Sequence, residues 1–227
     1  MEQLLRTSLL PVGQTMYIWG GGWNQEDAGA GREAVTLGVS KRWAEYATRQ
    51  TEAYDFDTTR YQSHDGLDCS GYIGWLLYNV FHTRNGETGY VTGASKMARA
   101  CAARGWGYLV QGDYKPGDIC SMEGHVWMSL GSCADGSVLL VHASPPGVRI
   151  CGTYLDDGTK SEAVKLAEQV MQRQYPAWYS RYPECGVGYF YLEDSVGMRW
   201  YTDEEADPYH LQGMQAEDVV HFLYPDM

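Results

Sequence analysis

The chain has 227 residues, 44% of them hydrophobic and 13% aromatic, enough to bury a substantial core and to exclude intrinsic disorder. Lys and Arg number 17 against 29 Asp and Glu, a net charge of −12, and no basic stripe interrupts the excess. Nucleic acid and anionic membrane surfaces are therefore excluded as main partners.

The first residues, Met1 to Pro11, lack the continuous apolar core of a signal peptide, and no apolar run is long enough to span a bilayer. The expectation is a chain without an integral membrane segment, cytoplasmic unless a leader has been removed, in which case secreted or in the cell envelope. The six cysteines, at 69, 101, 120, 133, 151 and 185, form no CxxC pair and no compact framework, so mostly reduced thiols are expected. Tyr17-Ile18-Trp19 reads as a strand running into Gly20-Gly21-Gly22, glycines that permit close backbone approach or an unusual turn. No Lys-Ser/Thr follows them, which excludes a phosphate loop.

Residues 24–66 are polar, and the spacing of Val35, Val39, Trp43 and Tyr46 predicts a helix within Arg32 to Thr51. Asp68 is a natural N-cap for the apolar stretch Cys69 to Phe81, which reads as a buried helix ending near Asn85-Gly86. A thiol in the first turn of a helix feels unpaired N–H groups and the positive end of the macrodipole, which favour thiolate and nucleophilicity. The alternative is an inert core cysteine.

Further helices are expected at Ala94–Arg104, closed by Gly105, and at Ser161–Gln174, capped by Ser161. Lys115-Pro116-Gly117-Asp118 is a turn, and strands follow near Asp118–Met122, His125–Gly131, Ser137–Ala143, Val148–Gly152 and Val187–Leu192. The acidic tail, with Asp203, Glu204, Glu205 and Asp207, reads as solvated charge because no calcium-loop spacing accompanies it.

Asp135-Gly136 marks the turn of a hairpin that carries His125 and His142. If Ser132 pairs with Ser137, His125 faces Ser144 and His142 faces Trp127, so both histidines project from one face as diagonal neighbours. A tighter Asp-Gly loop keeps them on that face but further apart. Two histidines on one face, downstream of a helix-capping cysteine, fit a general base, His125, and its orienting partner, His142, acting on Cys69. Cys120, His125, Cys133 and His142 have ligand atoms suited to zinc, but their spacings match no common finger or knuckle. Neither a metal nor a cofactor is expected.

These motifs resemble the NlpC/P60 family of papain-like cysteine peptidases, which cut the peptide stems of bacterial cell wall. The resemblance rests on Tyr17-Ile18-Trp19-Gly20-Gly21, Asp68-Cys69-Ser70-Gly71-Tyr72, Lys115-Pro116-Gly117-Asp118-Ile119, Gly124-His125-Val126, and Val141-His142-Ala143-Ser144 followed by Gly147-Val148. It implies an α+β, papain-like NlpC/P60 fold with the cysteine helix packed on a central antiparallel sheet. It also implies Cys69 as nucleophile, His125 as base, His142 as third member, and Tyr17 beside the thiol. Asp68 and Ser70, with Trp19 and Ser95, become candidate substrate-binding residues. The implied reaction is hydrolysis of a γ-D-glutamyl-L-diamino acid bond in a peptidoglycan stem peptide or muropeptide.

The implied catalytic domain spans 1–192, interrupted at about 24–66 and 153–186, with 193–227 as a C-terminal extension packed on it. Two departures stand out: about forty residues separate the Gly-Gly turn from Asp68-Cys69, and Gly93-Ala94-Ser95 keeps only its serine from a segment that helps bind the stem's free amine in some relatives. The long insertion must emerge beside the thiol, either as a lid or wall over the cleft or as peripheral decoration. The open alternatives in function are an amidase, deamidase or acyltransferase acting on a non-wall substrate, and a non-catalytic binding module.

Overall fold

The computed structural model describes residues 1–82 and 89–227; the expected helix stop at Asn85-Gly86 lies outside the described residues. In chain order the elements are α1 (Glu2–Leu9), β1 (Met16–Tyr17), α2 (Lys41–Thr48), β2 (Gly66–Leu67), α3 (Cys69–Phe81), α4 (Met97–Ala103) and β3 (Gly107–Val110). Four strands follow, β4 (Ile119–Met122), β5 (His125–Ser132), β6 (Val138–Ser144) and β7 (Gly147–Thr153). The chain closes with α5 (Glu162–Gln174), α6 (Pro176–Tyr179), β8 (Gly186–Val187), α7 (Phe190–Glu193), β9 (Val196–Trp200) and α8 (Ala216–Leu223).

The architecture is α+β. A mostly antiparallel sheet runs β2-β1-β7-β6-β5-β4-β9-β3, with β8 added to one end of β7 and only β1–β2 and β7–β8 parallel. The main core lies on one face, where α3 packs against β5, β6 and α1 while α5 covers β7 and β6. Alternation sorts the strands: Val126, Met128 and Leu130 join that core, whereas Trp127 belongs to a second cluster on the other face with Leu140, Cys151 and Tyr191.

The apolar run from Cys69 produces the expected buried helix. Every residue from Cys69 to Leu77 is buried, and the Asp68 carboxylate accepts the Gly71 N–H at 2.7 Å as its N-cap. The glycine loop ahead of it is needed for close approach. A Cβ on Gly22, at φ +95°, would stand 2.5 Å from the Gly71 Cα, so the loop and the first turn of α3 meet backbone to backbone.

The expected Arg32–Thr51 helix is instead a short 3₁₀ turn at Glu33–Val35 and then α2, separated by Gly38 at φ +67° and restarted by the Ser40 cap. The Val187–Leu192 strand is also corrected. Only Gly186–Val187 pair with β7, and the chain then turns into α7, which carries Tyr191 inward. Ser161 caps α5 as expected, its hydroxyl accepting from Val164 N–H at 3.1 Å.

The segment after 193 does more than pack on the domain. It supplies β9, which lies between β4 and β3 within the sheet. Arg199 on β9 pairs with the fully buried Asp118 at 2.8 Å, fixing the Lys115–Asp118 turn to the tail.

The hairpin register departs from expectation in an informative way. At the turn Ser132 pairs with Val138 rather than Ser137, and Gly131 with Leu139. Continued unchanged, that register would place His125 and His142 on opposite faces. A β-bulge at Leu130 shifts it by one residue, so that Ser129 pairs with Leu140 and Met128 with Val141. Both histidines then share a face, and their pairing follows from the bulge together with the turn.

Candidate functional site

Cys69 sits at the start of α3, buried to 6% exposure, on a cleft of about 290 Å³. Tyr17, Trp19, Asp68 and Ser70 line the same cleft, as do Gly93 and Ala94. Ser95 is exposed one residue beyond that wall. A larger cavity, about 560 Å³, lies by Cys133 at the turn end of the β5–β6 hairpin and holds none of the candidate catalytic or substrate-binding residues, so size alone does not select the site.

His125 opens β5 and His142 lies near the end of β6. Their rings meet edge to face, with His125 Nε2 at 3.0 Å from His142 Nδ1. The thiol reaches the backbone on either side of His125: its Sγ donates to the Gly124 carbonyl at 4.0 Å, and the Val126 N–H faces the sulfur. The thiol hydrogen bond thus goes to a carbonyl and not to the imidazole. Since His125 gives Nε2 to His142, Nδ1 is its ring nitrogen without a hydrogen bond among the described residues.

Two residues that the sequence reading did not single out complete the surroundings of the pair. Tyr191, from α7, sets its ring 5.5 Å from His125 and 6.0 Å from His142, edge to face with both. Arg149 on β7 pairs in register with His142, and its buried guanidinium donates to the carbonyls of Ser144 and Pro145 at 3.1 and 2.6 Å. A lone Arg among Val148, Ile150 and Cys151 was the readable signal for the second. Tyr191 was hidden by the mistaken strand.

The electrostatics overturn one expectation. Burial, followed by the neighbouring Asp68 carboxylate, pushes the Cys69 thiol up to about 12 against the opposing help of the Val126 and Ser70 N–H groups. Burial and then Arg149 bring His125 down to about 4, and burial, His125 and Arg149 depress His142 as well. The resting site is a neutral thiol beside neutral imidazoles, so the helix terminus does not by itself make a thiolate. Asp68, raised to about 6 by burial, accepts hydrogen bonds from Gly71 N–H, the Ser70 hydroxyl and Gly20 N–H. Ser70 in turn accepts from the Trp23 indole at 2.9 Å. Both residues face the cleft with their polar atoms already engaged by the protein.

The insertion forms one wall of this cleft, through Asp27 and Tyr61. It is anchored to α3, where Asn79 exchanges hydrogen bonds with Gly38 and Thr36 and the Trp75 indole donates to the Gly38 carbonyl at 3.0 Å. Internally, Arg42 pairs with Asp65 at 2.7 Å and His64 with Glu33 at 2.5 Å. Tyr54 ties it to β1 by donating to the Tyr17 carbonyl at 2.6 Å. Of the two placements left open by the sequence, wall and decoration, the residues occupy the first.

All six cysteines are free. Cys120 is buried in the second cluster and Cys133 stands by the hairpin turn, apart from the histidine pair. Among the described residues no group of three or more His, Cys, Asp or Glu is placed to hold a metal ion, and no helix is long and apolar enough to cross a membrane. No family model, curated protein or solved structure matches the chain.

Proposed function

We propose that the chain is a papain-like cysteine peptidase of the NlpC/P60 kind, hydrolysing an amide bond in peptidoglycan stem peptides at a γ-D-glutamyl-L-diamino acid linkage. The observation that carries this reading is the His125–His142 pair at 3.0 Å, seated at the strand start whose backbone holds the Cys69 sulfur.

In this mechanism the thiol turns from the Gly124 carbonyl toward His125 and gives its proton to Nδ1 as Sγ bonds to the substrate carbonyl carbon. The oxyanion is met by backbone N–H at the start of α3 and by the Tyr17 hydroxyl. The C–N bond breaks as His125 returns the proton to the leaving amine, which leaves a thioester on Cys69. Water, deprotonated by His125, then hydrolyses the thioester and restores the thiol. His142 orients His125 and shares its positive charge while the proton is held, so it is a positioning residue. Neutral resting groups suit this sequence, because charge then develops only with substrate in place.

A second reading keeps the chemistry and changes the acyl donor, making the protein an amidase, deamidase or acyltransferase on a non-wall substrate. It is favoured by Asp68 and Ser70, whose hydrogen-bonding capacity is taken up by Gly71, Gly20 and Trp23. Mass spectrometry of products from defined muropeptides, run beside glutamine-containing proteins, separates the two. Cleavage of the stem supports the first; ammonia release or transfer without stem cleavage supports the second.

A further inference from the structure

The thiol cleft does not end at the family-like motifs. It runs on into a second cavity of about 500 Å³, and the two share Gly20, Trp23, Asp27 and Tyr61. Two of the four, Asp27 and Tyr61, belong to the insertion; Gly20 and Trp23 come from the glycine loop ahead of it.

Its walls are aromatic. Trp19 is 43% exposed and Tyr61 72% exposed, and the Trp23 indole is anchored to Ser70. Tyr61 is held firmly despite its exposure. Its backbone adopts φ +62°, its N–H donates to the Trp19 carbonyl at 2.9 Å, and its ring lies over Gly20, where a Cβ would come within 2.9 Å of it.

The charge on this surface is negative. Asp27 lines both cavities, is exposed, and its carboxylate takes part in no hydrogen bond or ion pair among the described residues. Of the nearby basic side chains, Arg60 is paired with Asp57 at 2.6 Å and lies over the Trp19 ring, and His64 is bound to Glu33. Aromatic faces around an unpaired carboxylate attract an ammonium or guanidinium group and repel an anion.

We infer that Trp23, Asp27 and Tyr61 form a cation-binding subsite that selects substrates carrying a positively charged group close to the scissile amide. The inference rests on Cys69 being the nucleophile and adds the class of group the insertion admits.

The test uses alkylation of Cys69 in the full chain, read by peptide mass spectrometry, so no substrate need be known. Three iodoacetamides of equal length are compared at 0.15 M salt: one with a trimethylammonium arm, one with its neutral tert-butyl isostere, and one with a carboxylate arm. The cationic reagent is expected to react roughly 3- to 20-fold faster than the neutral one, with the anion slowest. Asp27→Asn removes most of that ratio and Asp27→Glu retains it. Asp156→Asn, which deletes an exposed charge outside the groove, leaves the ratio intact and controls for the net charge. Equal cationic and neutral rates in the wild type, or a ratio surviving Asp27→Asn, overturns the subsite and leaves the nucleophile standing. Failure of every reagent to modify Cys69 in the folded protein, with modification after unfolding, overturns the nucleophile and the subsite with it.

Discussion

His125 Nε2 and His142 Nδ1 lie 3.0 Å apart, and only one tautomer arrangement lets that contact serve a base. For His125 to take a proton at Nδ1, its own proton sits on Nε2 and is donated to His142. His142 then carries its proton on Nε2, a buried atom with no hydrogen-bond partner among the described residues. Leaving that group unpaired costs roughly 1–3 kcal/mol, a cost more expected in a working site than in an idle core. His142→Leu should lower kcat by roughly 10²-fold with KM little changed, and His142→Asn, which keeps an acceptor, should retain more. Steady-state kinetics of the two variants checks this.

The neutral resting site has a signature in thiol reactivity. With the Cys69 thiol raised to about 12, alkylation by iodoacetamide should climb about tenfold per pH unit from neutrality upward without a plateau. A preformed thiolate–imidazolium pair would instead give a plateau through the neutral range. A rate profile between pH 6 and 10 distinguishes them.

Stability should fall as the medium becomes acidic. His125 titrates near 4 in the fold against an ordinary 6.5, and His142 is also depressed. Below 6.5 the unfolded chain therefore binds more protons than the native one, and native stability is lost as pH drops through that window. Asp68, raised to about 6 from 3.8, works in the opposite sense, because its native carboxyl holds a proton that the unfolded chain releases. That opposition sets in as pH approaches 6 and involves one proton against the two of the histidines, so the histidines prevail. Melting temperature should decline from pH 7 to 5, and a His125→Gln/His142→Asn double variant should show a shallower decline.

The bulge offers a structural test of the histidine register. Gly131, beside the extra residue, has φ +121°, and a Cβ there would stand 3.0 Å from the Ala216 nitrogen. Gly131→Ala should destabilise the fold by roughly 1–3 kcal/mol and lower turnover, although the residue lies far along β5 from the histidines. Denaturant melts and kinetics on one preparation measure both.

Arg199 tests how firmly the tail is built in. Arg199→Met leaves Asp118 buried without its partner and should cost roughly 3–5 kcal/mol. The double variant Arg199→Met/Asp118→Leu should recover much of that loss, since the stranded charge is gone. Loss of the tail as a separable appendage, with the rest of the chain melting as before, would contradict its place in the sheet.

How much of this was readable in the sequence depended on whether the signal was local. The α3 helix and its Asp68 cap were legible because a buried apolar run behind a capping residue specifies itself. The same holds for Ser161 and α5. Strand β9 was not legible, since its position between β4 and β3 follows from long-range pairing that no local pattern records.

At the candidate site, Cys69, His125 and His142 were singled out by residue type and alternation, and the register argument put both histidines on one face through a turn one residue out of place. The Leu130 bulge supplied the compensation. The thiol's acidity was misjudged because burial outweighs the helix terminus, and burial is a tertiary property. Asp27 and Tyr61 carried no sequence signal. Each depends on a positive φ that an ordinary residue does not advertise.

The most direct measurement is intact-mass analysis of rapidly quenched reactions between the protein and a defined γ-D-glutamyl-diamino acid muropeptide. The expected result is a transient mass increase equal to the acyl half of the substrate, mapped to Cys69, that decays as product forms and is missing from Cys69→Ala, which does not turn over. Continued hydrolysis by Cys69→Ala, or product formation from wild type with an adduct on a different residue, would contradict the assignment of Cys69 as the nucleophile.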